Sequence, residues 1–222
     1  MADQISGANS QSQKSKIERP FHPLPESFYL PSAEIVAPKL LGHWLMRRTP
    51  HVICGGPIVE TEAYLVGDEA CHSFGGMTDR NKVMFGPPGF VYVYFIYGNH
   101  FCVNAVCCRE GKAEAVLIRA VEAEFGEEIM RANRPVTKLT ELTNGPGKLC
   151  QAMKIERKEN GVSLCDPESE LIIARNPKVK QFVKERGPIV ASARIGITRA
   201  AHLPLRFCLA GSRFVSRPVR AT

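Results

Sequence analysis

The segment from Gly89 to Asn104, GFVYVYFIYGNHFCVN, constrains this chain more than any other. Aromatic and β-branched residues flank Gly98-Asn99 on both sides. That pattern predicts a hairpin, because Gly and Asn tolerate the positive φ of a tight turn. Tyr97 falls against the turn, where a ring is hard to bury. A bulky ring on a narrow hairpin is a wedge, and proteins that open DNA insert such side chains between base steps.

The remaining segments supply elements around that hairpin. Residues 1–20 are polar and rich in Ser, Gln and Lys, and are expected to be disordered. Residues 21–222 are enough for a single domain with one core. Ser32 is placed to cap a helix over SAEIVAPKLLG, which Pro38 keeps short. WLMRR (44–48) reads as a strand, and so does GGPIVETEAY (55–64). Period-two alternation in the latter puts Glu60, Glu62 and Tyr64 on one face. Carboxylates are costly to bury, so two on one strand face need either solvent or a task. A loop runs from Leu65 to Pro88 and carries His72; Met84 and Phe85 predict that it is packed down. AEAVLIRAVE (113–122) is a further strand with Arg119 in an apolar run, where an arginine either pairs with an acid or marks a site. EFGEEIMRANR (124–134) has helical spacing. NGPGKLCQAM (144–153) is a glycine-rich turn opening a short helix, without the spacing of a P-loop. Its Lys148 is either a surface residue or a ligand for a backbone phosphate. ELIIA (170–174), PIVASARIGI (188–197) and LRFCLAG (205–211) add strands. The whole reads as α+β with a mainly antiparallel sheet.

A net charge of +7 favours a polyanionic partner, nucleic acid or an acidic membrane, over an uncharged one. No apolar run is long enough to span a bilayer. The first residues lack the apolar core of a secretory signal, so a reducing compartment is expected. The eight cysteines form no Cys-x-x-Cys pair and the histidines no zinc spacing, so no metal site is expected. A basic chain with a wedge, a carboxylate and several aromatic residues fits an enzyme that acts on a base drawn out of a duplex. Tyr97 fills the gap, Tyr64, Tyr94 and His72 enclose the base, and a carboxylate activates water against the sugar carbon.

The motifs VETEAY (59–64), EACHS (69–73), RNKVMF (80–85), PGFVYVYFIYG (88–98), FCVN (101–104) and VLIRA (116–120) resemble the alkyladenine, or methylpurine, DNA glycosylase family. GPGKLCQAM (145–153), RGPIVASARIGI (186–197) and PLRF (204–207) extend the resemblance, which runs in order from about 28 to 216. It implies a single domain around a curved antiparallel sheet with a protruding hairpin. The implied activity is excision of alkylated or deaminated purines from double-stranded DNA, with no metal or organic cofactor. By motif, Glu62 matches the general base, Tyr64 and Tyr94 the stacking walls, and His72 the other side of the pocket. The backbone near Ala70 matches a position beside the base edge. Tyr97 matches the intercalating residue, Asn104 the residue that crowds the amino group of normal guanine, and Arg119 an arginine near the water and the DNA backbone. Neutral lesions such as hypoxanthine need a proton on the leaving base, for which His72 is the candidate. No lysine stands in the pocket motifs, so a lyase step is not expected. A monomer with no membrane partner is expected, in the cytoplasm at the nucleoid, or in the nucleus of a eukaryotic source.

Several residues carry a second reading. Glu60 faces the same way as Glu62, and a structural ion pair explains it without catalysis. Tyr92 fills either core or pocket floor. Arg119 ties down Glu62 or touches DNA. A binding module without catalysis is the rival class, and Glu62 separates the two, since a carboxylate on a phosphate-facing surface would repel DNA. A metal-dependent nucleoside hydrolase is a third class, and the lack of clustered ligands in the sequence weighs against it.

Overall fold

The computed structural model describes residues 21–96 and 98–219. The 1–20 segment and Tyr97, the expected wedge, lie outside the described residues. A short helix α1 (Ala33–Leu40) leads into β1 (Trp44–Arg48) and the long β2 (Ile53–Tyr64). The hairpin strands β3 (Val91–Ile96) and β4 (His100–Cys107) follow, then β5 (Glu114–Val121), α2 (Glu127–Asn133) and α3 (Pro146–Ala152). The chain continues through β6 (Leu171–Ala174), α4 (Val179–Arg186), β7 (Ile189–Ser192) and β8 (Arg206–Leu209). The sheet runs β3-β4-β5-β2-β1-β6, with β8 bonded to β2 and β7, and each of these ladders is antiparallel. This is a single α+β domain. No helix among the described residues is long and apolar enough to cross a membrane.

β2 is the strand on which the sheet turns. Its first half pairs with β1, and its second half lies between β5 and β8. The sheet curls where β2 changes partners, and glycines occupy that point because backbone crowds it. A Cβ on Gly55 would fall 2.0 Å from the Leu45 carbonyl oxygen, and one on Gly56 1.9 Å from that of Glu122. Further on, the β2–β5 register shifts between Ile58 and Thr61, opposite Arg119. A bulge of this kind re-aims side chains next to it.

The period-two pattern sorts the sheet into two faces. Ala63, Val93, Val103, Ala105, Val116 and Ile118 join the main core, against which α1 and α3 pack. Thr61 points the same way and donates to the Ala37 carbonyl of α1 at 3.0 Å. The alternate residues, among them Tyr64, Tyr92, Ala115 and Tyr94, meet the packed-down 65–88 loop through Cys71 and Met84. The helices thus seal one face, and the loop only partly covers the other.

Four local expectations change. Ser32 stands at the start of α1, but its side chain makes no capping bond. The Ala33 N–H goes instead to Glu114 Oε2 at 2.8 Å, a buried carboxylate that also suits the helix dipole. At the hairpin, Gly98 takes φ +72° while Asn99 does not take a positive φ. The strand pairing closes at Ile96 and His100, so the connection has three residues rather than a two-residue Gly-Asn turn. The predicted strand 188–197 is regular only over Ile189–Ser192. Helix α4 has no counterpart in the sequence reading: it is short, none of its residues is fully buried, and its stripe of Val179, Phe182 and Val183 is only half-covered against Gly42 and the core edge.

Candidate active site

The partly covered face holds a cavity of about 480 Å³, within the usual range of about 300–1,000 Å³ for small-molecule sites. Tyr64, Ala70, His72, Tyr94, Asn104, Arg119 and Lys148 all line it. Strand alternation delivers Tyr64 from β2, Tyr94 from β3, Asn104 from β4 and Arg119 from β5, while the 65–88 loop brings Ala70 and His72.

Glu62 lies just beneath, with no exposed surface. Its Oε1 accepts the Ile195 N–H at 2.8 Å, and its Oε2 accepts the Tyr64 hydroxyl at 3.0 Å. Arg119 Nη1 stands 3.2 Å from Oε2. Both oxygens are therefore fixed, and the three residues that hold them, Tyr64, Arg119 and Ile195, all line the cavity. Burial raises the Tyr64 phenol well above its ordinary value, and the Glu62 charge adds to this, so Tyr64 remains a donor.

Glu60 is the more heavily paired of the two carboxylates. Its Oε1 accepts from Arg119 Nε and Arg206 Nε, both at 2.8 Å, and from Ser216 Oγ at 2.7 Å. Burial alone would raise its carboxyl, but Arg119, then Arg206 and the Ser216 N–H, hold it below the ordinary value. Arg119 answers both carboxylates: burial works against its charge, yet Glu62 and Glu60 hold it above its ordinary value. The arginine ties down Glu62 and also faces the cavity.

His72 Nδ1 bonds the Tyr92 hydroxyl at 2.9 Å, and its ring meets Tyr94 nearly edge-on, with centroids 4.4 Å apart. Desolvation, and then the Arg80 charge, lower its pKa. An imidazole held neutral is a poor proton donor, which weighs against His72 as the general acid. The Asn104 amide donates to the Tyr92 carbonyl at 3.0 Å, so its orientation is set by the hairpin backbone. Tyr92 itself is buried beneath. The Ala70 N–H is already committed to Asp68 Oδ1 at 3.0 Å, so it is the rest of that backbone that remains for a base edge.

Lys148, outside the motifs that supply Glu62, Tyr64, His72, Tyr94, Asn104 and Arg119, also reaches the pocket. It lines the cavity from the first turn of α3, with Nζ held by Asn144 Oδ1 at 2.8 Å. Sequence reasoning missed Arg194 and Ile195, which contact Tyr64 and Glu62. A signal existed, since Arg194 interrupts an apolar run much as Arg119 does.

A curled antiparallel sheet thus presents a buried glutamate beneath an aromatic cavity. The sequence profile of the methylpurine-DNA glycosylase family matches residues 27–213, and the chain belongs to that family and is a DNA glycosylase. Relatives with the provisional name 3-methyladenine DNA glycosylase agree. One from Koribacter versatilis is 46% identical over 198 residues, covering 87% of this chain and 93% of its own length. One from Methanoculleus marisnigri is 50% identical over 194 residues, covering 87% and 98%. A third, from Rhodopseudomonas palustris, is 48% identical over 198 residues, covering 89% and 92%.

Proposed function

We propose that this chain draws methylated purines, 3-methyladenine among them, out of duplex DNA and hydrolyses the N-glycosidic bond, leaving a free base and an abasic site. The observation that carries this reading is the Glu62 carboxylate, held at both oxygens beneath a cavity walled by Tyr64, Tyr94 and His72.

Basic side chains grip the phosphates, so affinity falls with salt. Lys148 is one such contact. A damaged base unstacks at lower cost than a sound one. Tyr97 fills the gap it leaves. A purine methylated at N3 or N7 is cationic and gains from lying against electron-rich rings. Arg194 lies 4.7 Å and Arg80 5.9 Å from the Tyr64 and Tyr94 ring centroids, and neither guanidinium lines the cavity. Asn104 crowds the exocyclic amino group of guanine and so protects normal DNA. Glu62 takes a proton from water as it attacks C1′, and its charge stabilises the oxocarbenium-like sugar. Arg119 holds that carboxylate in place.

Cationic lesions leave without further protonation, whereas hypoxanthine needs a proton that a neutral His72 supplies poorly. Excision of 7-methylguanine and 3-methyladenine therefore exceeds that of hypoxanthine. Incubation with duplexes carrying each lesion, scored for abasic sites and for strand breaks, tests this. Absence of abasic sites from every duplex refutes the activity, and strand cleavage without added base refutes the monofunctional product.

A further inference from the structure

We infer that the buried Arg194–Asp68 pair is a positioning device for the general base, acting on Glu62 through Tyr64; this rests on the reading of Glu62 as that base. Both guanidinium Nη atoms contact the Asp68 carboxylate, and the two side chains are 0% and 2% exposed. Nη1 also donates to the Ala63 carbonyl at 3.1 Å and Nη2 to that of Ala200 at 3.4 Å. The fork is thereby fixed in plane and position, with its carbon 4.7 Å from the centroid of the Tyr64 ring.

That ring carries the hydroxyl that donates to Glu62 Oε2. The next residue, Ile195, gives its N–H to Oε1. Two consecutive residues therefore govern both oxygens of one carboxylate, Ile195 directly and Arg194 through the phenol. A cation beside the ring draws electron density from it and strengthens the O–H as a donor. Asp68 extends the device to the cavity rim, since its Oδ1 also holds the Ala70 N–H.

A pair that served stability alone would need only charge compensation in the core. Lysine supplies that charge, but not the planar fork that meets a carboxylate and a ring together. Arg194→Lys thus separates the two roles. In single-turnover excision from a 7-methylguanine duplex, R194K is expected to lose about tenfold or more in rate, while affinity for that duplex stays within about threefold. Tyr64→Phe keeps the ring and removes the hydroxyl. In that background R194K is expected to cost less than about threefold, because the path it acts through is gone.

Equal losses in both backgrounds, or rate and affinity falling in step, overturn the inference. Should R194K fail to fold, Asp68→Asn reads the same coupling. Failure of both variants to fold, judged by thermal melting, assigns the pair to stability and overturns the positioning role. Glu62→Gln run alongside separates the two claims. Full excision by E62Q refutes Glu62 as the base, whereas an inactive E62Q with additive R194K and Y64F refutes only the role of Arg194.

Discussion

Glu60 and Glu62 stand two residues apart on β2, both without exposed surface and both touching Arg119. Their remaining partners differ. Glu60 is closed in by Arg206 and Ser216, whose chain crosses over it. Glu62 has instead an amide N–H and a phenol, and its neighbours Tyr64 and Arg119 open onto the cavity. Two arginines make a carboxylate a fixed structural charge. Neutral donors and one shared arginine hold a carboxylate in place while leaving it a proton acceptor. Under the function proposed above, the contrast separates a buried acid that supports the fold from one that does chemistry.

The contrast breaks first at Glu62. E62Q keeps the size and is expected to lower excision by about 10²–10⁴-fold, the usual worth of a general base, with a smaller fall in melting temperature than E60Q because Arg119 keeps Glu60. A single-turnover assay beside a thermal melt reads both. E60Q is the converse. It leaves Arg119 and Arg206 short of their shared charge, and breaking such a buried pair costs roughly 3–5 kcal/mol of stability, read by urea titration. The Glu60 contribution has a sign: a depressed carboxyl adds stability that is full at neutral pH and lost as pH falls below the ordinary carboxylate value.

His43 sharpens the comparison from the opposite charge state. It is buried, and its Nδ1 accepts the Asn176 N–H at 3.2 Å, which a protonated ring could not do. Burial, and then Arg175, lower its pKa from 6.5 to about 4. The unfolded chain binds that proton more readily, so stability falls as pH drops from about 6.5 toward 4. At 1.36 kcal/mol per unit the loss is about 3 kcal/mol, and His43→Gln should flatten this part of the stability–pH curve. Asn104→Ser tests the smallest effect. Relieving the crowding is expected to raise release of normal guanine on the order of tenfold, measured as spontaneous abasic sites in undamaged duplex.

Much of the site was legible because it sits on strands whose alternation is strong. The VETEAY, YVYFIY and VLIRA runs each reveal which residues share a face, and Glu62, Tyr64, Tyr94 and Arg119 do share one. What was not legible depends on contacts between distant segments. Ile195 is 133 residues from Glu62, and the Ser216 contact with Glu60 spans 156. Such pairings leave no local period. The Ser32 cap failed for the same reason, since Glu114 reaches the helix end from 81 residues away. Gly-Asn was a sound turn signal, but it does not by itself fix the length of the connection.

The bonding of β2 on both sides also sets when the enzyme can first work. Glu62 reaches its cross-strand neighbour on β5 early, but the N–H on its Oε1 and the strand beyond Glu60 come from residues 188–216. A chain leaving the ribosome at about 5–20 residues per second spends several seconds with Glu62 and the hairpin already made, and the carboxylate still without its last partners. The site is therefore complete only when residues 188–216 have docked on β2.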